Sequence, residues 1–347
     1  MNTNNHNNIT EAKQLIILGT GGTIAGRAAN SNDNVGYTAA QVGVAQLLAA
    51  IPSLVGTDGA AQYAGYELVC EQVAQVDSKD MNFAVWQSLL ARCTHWLAQS
   101  QVQGVVVTHG TDTLEETAYF LQRTLNPSKP VVLACAMRPS TAIAPDGPQN
   151  LLDALAVASH SGALGVVAVC AGVIHSAYDV QKVHTSRLDA FSSGDAGPVG
   201  TVAEGQLTLY RNWPSNKHLA GVNVAYSAIE NIAKWTTLPR VEIVLNHSGS
   251  DGTIVDALLT QKAASPSKGL RGIVVAATGN GTISTDLEAA LRRAQAAGVA
   301  VWRSTRCAFG QVIGKSDAEF ADASGVSQGL SAVKARIALQ LQLALSQ

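Results

Sequence analysis

Short apolar runs alternate with longer amphipathic stretches through the first half of the chain. Five runs rich in β-branched residues predict buried strands: Leu15–Leu18, Glu67–Val76, Val105–Thr108, Val131–Cys135 and Val166–Cys170. Ala84–Ala98 and Leu114–Leu125 carry apolar residues at helical spacing, which predicts amphipathic helices that cover a sheet. Strands separated by helices indicate a mostly parallel sheet, and ligands of such sheets bind beyond the carboxyl ends of the strands.

This alternation stops near residue 211 and resumes near residue 240. Arg211–Pro239 is polar and mixed, which indicates a linker. Beyond it the pattern predicts three strands, Val241–Leu245, Ile273–Ala276 and Val299–Trp302, and three helices, Ile254–Gln261, Asp286–Ala297 and Ala332–Leu345. We therefore expect an α/β protein of two domains, each with a mostly parallel sheet flanked by helices. The expected divisions are a disordered tail at 1–14, an N-terminal domain at 15–211, a linker at 212–239 and a C-terminal domain at 240–347.

Composition narrows the classes of function. Of the 347 residues, 47% are hydrophobic and only 14% are charged, which favours an oligomer that buries apolar surface between subunits. The net charge of -2 offers no basic surface for phosphate or anionic lipid, so neither nucleic acid nor a membrane is an expected partner. The polar N-terminus lacks the features of a secretory signal, so the expected location is cytoplasmic, or periplasmic only if a signal peptide was removed.

The cysteines and histidines do not form a metal-binding pattern. Five cysteines are widely spaced, three of them inside apolar runs, which indicates buried free thiols. No Cys-x-x-Cys or His-Glu-x-x-His spacing occurs, and the eight histidines are scattered. We expect neither a metal nor a cofactor.

A glycine-rich turn, Leu18–Gly26, follows the first predicted strand. A dinucleotide fingerprint would need Gly or Ala where Ile24 stands, and a phosphate loop would need Lys where Arg27 stands. Two interpretations stay open: a plain tight turn, or a turn whose bare backbone amides approach a small anionic ligand and present Thr20 and Thr23 beside it.

Polar side chains also crowd the end of the predicted strand Val105–Thr108. Thr113 and Glu116 have the spacing of a helix capping box. Three further polar residues precede them, His109, Thr111 and Asp112. A hydroxyl beside a carboxylate at the end of a strand suits the orientation of a nucleophile or a water molecule.

The two polar turns together resemble those of the bacterial L-asparaginases, homotetrameric amidohydrolases that hydrolyse L-asparagine, and often L-glutamine, to the amino acid and ammonia. The resemblance covers nearly the whole chain. Further segments match in order: Tyr37-Thr38, Val42–Val44, Asp77–Asn82, Ala136–Thr141, Asp146–Leu151 and Gly279–Gly281. The segment Ala136–Thr141 is most similar to the periplasmic, type II branch of the family.

This resemblance implies a mechanism without a cofactor. It implies that Thr23 attacks the side-chain amide, supported by a triad of Thr111, Asp112 and Lys182. Tyr37 would be carried on a glycine-flanked lid, and closure of that lid would exclude water until ammonia has left an acyl-enzyme ester, in a double displacement. Burial favours the neutral amine that a basic Lys182 needs, whereas the adjacent carboxylate favours the charged form, so its protonation stays open.

The resemblance also implies a set of substrate-binding residues: Gly22, Ser78, Lys79, Thr111, Asp112, Ala136, Asn280 and Glu319. Ser78 suits the substrate's α-carboxylate and Asp112 its α-ammonium. In the family a Glu and an Asn of a neighbouring subunit complete the ammonium site. Glu319 and Asn280 match them, so activity is expected to need at least a dimer.

Two departures from the family pattern bear on function. Lys79 stands where the family usually has Gln or Glu, and a cation there would repel the α-ammonium unless it turns towards the α-carboxylate. Cys93 lacks the partner cysteine of the periplasmic enzymes, because Asn126–Ser128 lies near its expected place.

The sequence leaves three alternatives to an L-asparagine amidohydrolase. A dual glutaminase-asparaginase differs only in its rates on the two amides, because one methylene changes binding by only ~1–3 kcal/mol. A catalytically silent amino-acid-binding protein would keep the fold without turnover. Gly325–Gly329 has the pattern of a nucleophile elbow, but no Asp or His follows Ser327 to complete a triad.

Overall fold

A computed structural model describes residues 12–57, 59–215, 232, 234–265, 269–313, 321–322 and 329–346. In its first half, eleven strands lie in the described residues: β1 (Gln14–Gly21), β2 (Gln62–Tyr63), β3 (Tyr66–Val76), β4 (Val102–Thr108), β5 (Pro130–Ala134), β6 (Gly165–Cys170), β7 (Val173–Ser176), β8 (Gln181–Lys182), β9 (Phe191–Ser192), β10 (Gly200–Ala203) and β11 (Gln206–Leu209). All except β8 and β9 form one sheet, in the order β11-β10-β7-β6-β5-β4-β1-β3-β2. Strands β3, β1, β4, β5 and β6 run parallel, while β2, β7, β10 and β11 form antiparallel edges.

Helices cover both faces of this sheet. They are α1 (Val44–Ala49), α2 (Phe83–Leu97), α3 (Leu114–Leu125) and α4 (Gly147–Ser159). Successive strand residues point to opposite faces: Ile16 and Leu18 pack with α2 and α3, whereas Leu15 and Ile17 pack with α1 and α4. Burial on both faces explains why these strands read as continuous apolar runs.

The second half forms a separate parallel sheet. Its strands are β12 (Val241–Leu245), β13 (Gly272–Ala277), β14 (Ala300–Thr305) and β15 (Ala321–Asp322), in that order. The helices of this half are α5 (Thr253–Ala264), α6 (Thr285–Ala296) and α7 (Ala332–Leu345). Helix α7 packs against β12 and β13 and also against α3. Its buried face therefore joins the core of the first sheet to the second.

These observations confirm the predicted fold class of two mostly parallel sheets flanked by helices. Each predicted strand and helix occurs, with ends shifted by a few residues. Helices α1 and α4 and the antiparallel edge strands were not predicted. Of the expected tail, residues 1–11 lie outside the described residues, and β1 already begins at Gln14. Most of the expected linker at 212–239, including 216–231, also lies outside them, so these divisions stay predictions.

Two further expectations concern the cysteines and membrane-spanning helices. All five cysteines are free, and Cys93, Cys135 and Cys170 are buried. Within the described ranges, no helix is both long and apolar enough to span a bilayer.

Candidate active site

Two glycines bring the polar turns after β1 and β4 into contact. These strands are parallel neighbours, so both turns leave the same edge of the sheet. Gly22 has a φ of 82°, and a Cβ placed on it would lie 2.2 Å from the backbone nitrogen of Gly110. Only glycine tolerates both the left-handed backbone and this close approach. Thr23 and Thr111, which follow these glycines, are thereby placed in adjoining turns.

The side chain of Thr23 meets that of Tyr37. Thr23 Oγ1 and the Tyr37 hydroxyl are 2.6 Å apart, which is a short hydrogen bond. Thr23 is buried, whereas Tyr37 is partly exposed. The ring of Tyr37 lies over Gly26, where a Cβ would be only 2.8 Å from Tyr37 Cδ2. The absence of a side chain at residue 26 therefore lets the phenol reach Thr23.

The loop that carries Tyr37 packs against the turn. Arg27 and Thr38 exchange two backbone hydrogen bonds of 2.9 Å, which join the two ends of the loop. The Ser140 hydroxyl and backbone amide both donate to the carbonyl of Gly26, and the amide of Ala28 donates to Thr141 Oγ1. These bonds hold this loop on the segment after β5, while its tip is exposed at Val35.

Lys182 connects the groups of the second turn. Its Nζ donates to Thr111 Oγ1 at 2.8 Å and to Asp112 Oδ1 at 2.6 Å. The Lys182 side chain is 18% exposed and that of Asp112 is 54% exposed, so the carboxylate remains accessible to a ligand. The triad expected from the family resemblance is thus assembled from residues about 70 positions apart in the sequence.

Ser78 and Lys79 are adjacent in the chain but have different surroundings. Ser78 is buried, and its Oγ accepts a hydrogen bond from the amide of Asp112 at 3.2 Å, which leaves its own proton free to donate. Lys79 Nζ instead donates to the carboxylates of Asp77, at 2.7 Å, and Asp80, at 3.1 Å. Its ammonium is therefore neutralised by two neighbours.

The expected capping box at the start of α3 is wrong. Thr113 occupies the N-cap position, but its hydroxyl donates to the carbonyl of Ser78 at 2.7 Å and does not cap the helix. His109 is fully buried and its ring contacts the Thr117 hydroxyl at 2.9 Å. Burial lowers the pKa of His109 to about 4, so this imidazole is a neutral part of the structure behind the turn.

The remaining expected site residues have other contacts or lie outside the described chain. Ala136 follows β5 and packs its side chain with Ile24 behind the glycine turn. Asn280 exchanges two hydrogen bonds with the backbone of Ile313, at 3.1 and 2.7 Å. Glu319 and Ser327 lie outside the described residues. Within the described ranges, no cluster of three His, Cys, Asp or Glu side chains could hold a metal ion.

Three residues near the site were missed by the sequence analysis. One is Gly110, although a glycine between two polar residues after a strand suggests a close approach. The others are Glu115 and Lys334. Lys334 is 1% exposed, and its signal in the sequence is a single charge inside the apolar run Ala332–Ala335.

Comparison with known proteins gives the family. Residues 14–215 match the family described as "Asparaginase, N-terminal", and residues 240–347 match "Glutaminase/Asparaginase C-terminal domain". The L-asparaginase 2 of Bacillus subtilis (strain 168) is 38% identical over 329 residues, which cover 94% of this chain and 81% of that protein. The glutaminase-asparaginase of Pseudomonas fluorescens biotype A is 34% identical, with coverage of 97% and 88%.

A solved structure agrees with these relatives. The crystal structure of a probable cytoplasmic L-asparaginase from Campylobacter jejuni matches with a TM-score of 0.81 at 35% identity, and the match covers 95% of each chain. The two family matches together span both sheets and the polar turns between β1 and α3. The chain belongs to the asparaginase family of amidohydrolases.

Proposed function

We propose that this protein hydrolyses L-asparagine to L-aspartate and ammonia, with Thr23 as the nucleophile of a double displacement. The observation that carries the proposal is the 2.6 Å contact between Thr23 Oγ1 and the Tyr37 hydroxyl. The adjoining turn supplies the second set of groups, Thr111, Asp112 and Lys182. Family membership supports amide hydrolysis as the class of reaction.

In the first half of the reaction, Thr23 Oγ1 attacks the carbonyl carbon of the side-chain amide. As the Tyr37 oxygen accepts the hydroxyl proton of Thr23, Tyr37 gives its own hydroxyl proton to the amide nitrogen, and the C–N bond breaks. Backbone amides of the glycine turn suit the developing oxyanion. Ammonia leaves, and an ester between Thr23 and the aspartyl group remains.

In the second half, water attacks the ester carbon. Lys182 holds the Thr111 hydroxyl at 2.8 Å and, as the neutral amine, accepts the hydroxyl proton of Thr111 while Thr111 takes the proton of the attacking water. The ester C–O bond breaks, Thr23 recovers its proton, and aspartate leaves. The closed lid keeps water out until the first half is complete.

L-Asparagine is a zwitterion, so its site needs groups for both the α-carboxylate and the α-ammonium. The Ser78 hydroxyl and the amides at the start of α3 suit the α-carboxylate, because a helix N-terminus stabilises negative charge. The exposed carboxylate of Asp112 suits the α-ammonium. We further propose that Asn280 and Glu319 of a neighbouring subunit complete this site in a homotetramer. Exposed apolar side chains, Val35, Ile143 and Ile313, support an assembly that covers them.

The location proposed for the enzyme is the cytoplasm. The Campylobacter jejuni relative is named as probably cytoplasmic, whereas a Haemophilus influenzae relative at 35% identity is named as probably periplasmic.

A dual glutaminase-asparaginase is the second candidate. Relatives of that name from Pseudomonas and Acinetobacter are 34–37% identical to this chain, a similarity comparable to that of the asparaginases. The ratio of kcat/KM values on the two amides separates the candidates.

The test is ammonia release from L-asparagine and L-glutamine by the wild type, Thr23→Val and Thr20→Val. Both substitutions remove one hydroxyl from a buried threonine, and the two threonines are three residues apart. Thr20 donates to the carbonyl of Thr108 and is the matched control. We expect Thr23→Val to lower kcat by at least about 1000-fold and Thr20→Val by less than about tenfold. Equal activity of the two variants, or no turnover by the wild type with either amide, would contradict the proposal.

A further inference from the structure

A lysine is buried where a lysine is unfavourable. Lys334 lies in the first turn of α7 and is 1% exposed. A buried ammonium loses its hydration, and a cation near a helix N-terminus also opposes the helix dipole. Its surroundings must compensate for both costs.

The Lys334 ammonium compensates by holding the turn that leads to Lys182. Its Nζ donates to the carbonyl of Tyr178 at 2.9 Å and also to that of Val180. This turn connects β7 to β8, and Lys182 is only two residues beyond Val180. A side chain from the C-terminal helix therefore fixes the backbone on which Lys182 is carried.

Glu115 holds the same segment from the side of α3. One of its carboxylate oxygens accepts the backbone amide of Lys182 at 3.4 Å, and the other accepts the Ser331 hydroxyl at 3.5 Å. Glu115 lies three residues after Asp112, at the start of α3. Burial raises the pKa of Glu115, while attraction to Lys334 acts in the opposite direction. The carboxylate thus links the Lys182 backbone to the N-terminus of α7.

Lys182 needs this support because the main sheet does not hold it. Strand β8 has only two residues and pairs with the two residues of β9, outside the nine-stranded sheet. So short a ladder is weak by itself. The Lys182 Nζ must nevertheless reach Thr111 and Asp112 at the same time.

We propose that Lys334 and Glu115 together position Lys182 against Thr111 and Asp112, Lys334 through the carbonyls of Tyr178 and Val180 and Glu115 through the Lys182 amide. Neither residue touches the reacting atoms, so both are positioning residues. The inference rests on the proposed function, since it assigns a purpose to the placement of Lys182.

The charge state of Lys334 gives a further signature. Burial lowers the pKa of Lys334 to about 8, and Glu115 on α3 and Asp179 in the turn oppose this shift. His175 on β7 faces the same ammonium and is neutral at pH 7, because burial lowers its pKa to about 4. Above pH 8 the wild type loses the cation that attracts Glu115, whereas a variant without the lysine has no such change.

The variants are Lys334→Met, Glu115→Gln and the double variant. The matched control is Gln340→Met, because Gln340 is a buried polar residue of the same helix that donates to a different carbonyl, that of Pro239. We expect Lys334→Met to lower kcat by about 10- to 100-fold with little change in KM, since a small displacement of a catalytic group has effects of this size. The kcat of the double variant should be no lower than that of the less active single variant, because the two residues act as a unit. Thermal unfolding separates a loss of stability from a loss of kcat.

A second readout does not depend on turnover. Competitive acetylation followed by peptide mass spectrometry measures the reactivity of the Lys182 amine, and Lys182→Met confirms the peptide. We expect labelling of Lys182 to rise by about threefold or more in Lys334→Met, because an amine released from Thr111 and Asp112 is more accessible. If Lys334→Met is unfolded, Lys334→Gln, which keeps a donor without the charge, takes its place.

The outcomes separate the two proposals. A folded Lys334 variant with wild-type labelling of Lys182 and with kcat within about twofold of the wild type overturns the inference. A wild type without turnover overturns the proposed function, and the labelling of Lys182 then decides the inference alone. The inference is also overturned if Gln340→Met loses as much kcat as Lys334→Met.

Discussion

At the scale of single residues, the environment of each hydroxyl and amine decides its role. Thr23 reaches the Tyr37 hydroxyl, whereas Thr20, near the end of β1, donates to a backbone carbonyl. The hydroxyl of Thr113 similarly donates a hydrogen bond to the carbonyl of Ser78. Threonines that look equivalent in the sequence therefore have different roles, because a hydroxyl that donates to a backbone carbonyl stabilises the fold and is not available for chemistry.

Lys79 and Ser78 allow a test at this scale. Because Lys79 is 62% exposed and paired with Asp77 and Asp80, we expect Lys79→Gln to change kcat/KM for asparagine by less than about fivefold. Ser78→Ala removes a buried hydroxyl that contacts the Asp112 amide, and we expect it to lower kcat/KM by about tenfold or more. Steady-state kinetics of both variants gives the comparison. A gain above about tenfold in Lys79→Gln would mean that the lysine repels the α-ammonium.

The sequence identified most of these side chains but not their partners. The resemblance named Thr23, Tyr37, Thr111, Asp112 and Lys182, and the structure brings them together as two adjoining groups. It could not reveal the ion pairs of Lys79 or the hydrogen bond of Thr113. Both depend on which backbone lies opposite, and that is fixed by packing between distant segments.

At the scale of elements, the turn after β1 works through contact with the turn after β4. Gly22 and Gly110 approach so closely that neither turn has room for a side chain there. This contact explains the glycines of the turn without a phosphate-binding or dinucleotide-binding role. The local sequence suggested the turn, but the opposing backbone could not be read from it.

Gly22→Ala should therefore lower the free energy of unfolding by more than the strain of a left-handed backbone alone. Gly65 has a similar φ of 84° with nothing within 4 Å of an added Cβ, so Gly65→Ala is the matched control. We expect about 1 kcal/mol of lost stability for Gly65→Ala, from backbone strain. We expect about 1–3 kcal/mol more for Gly22→Ala, from the clash with Gly110, together with loss of activity. Urea unfolding and ammonia release measure the two effects, and equal stability of the variants would refute the role of the contact.

The same reasoning explains which elements could be predicted. Strands β1, β4, β5 and β6 are buried on both faces, so their apolar runs were distinct. Helix α4 has polar residues among its buried positions, including Asn150 and Asp153, which obscured its periodicity. The edge strands β10 and β11 are partly exposed and only four residues long.

At the scale of the whole molecule, buried titratable groups couple stability to pH. Burial lowers the pKa of both His109 and His175 to about 4, against about 6.5 in an unfolded chain. Between these values the unfolded chain binds protons that the folded protein does not, so the free energy of unfolding falls as pH falls. The carboxyls of Glu115 and Glu116, whose pKa burial raises, act in the opposite direction.

A variant isolates the histidine contribution. His109→Gln removes one titrating group, so its free energy of unfolding should fall less steeply than that of the wild type between about pH 6.5 and pH 5, by about 1.4 kcal/mol per pH unit. Urea unfolding of both proteins across this range measures the two slopes. Parallel slopes would show that His109 is protonated in the folded protein.

The central claim is that Thr23 carries the acyl group. Its most direct test is to mix the enzyme with L-asparagine labelled in its carbon skeleton, quench with acid during turnover, and map the labelled peptide by mass spectrometry. The account predicts an aspartyl ester on Thr23 that is absent from Thr23→Val. Label on Thr111, or ammonia release with no covalent label at all, would contradict it.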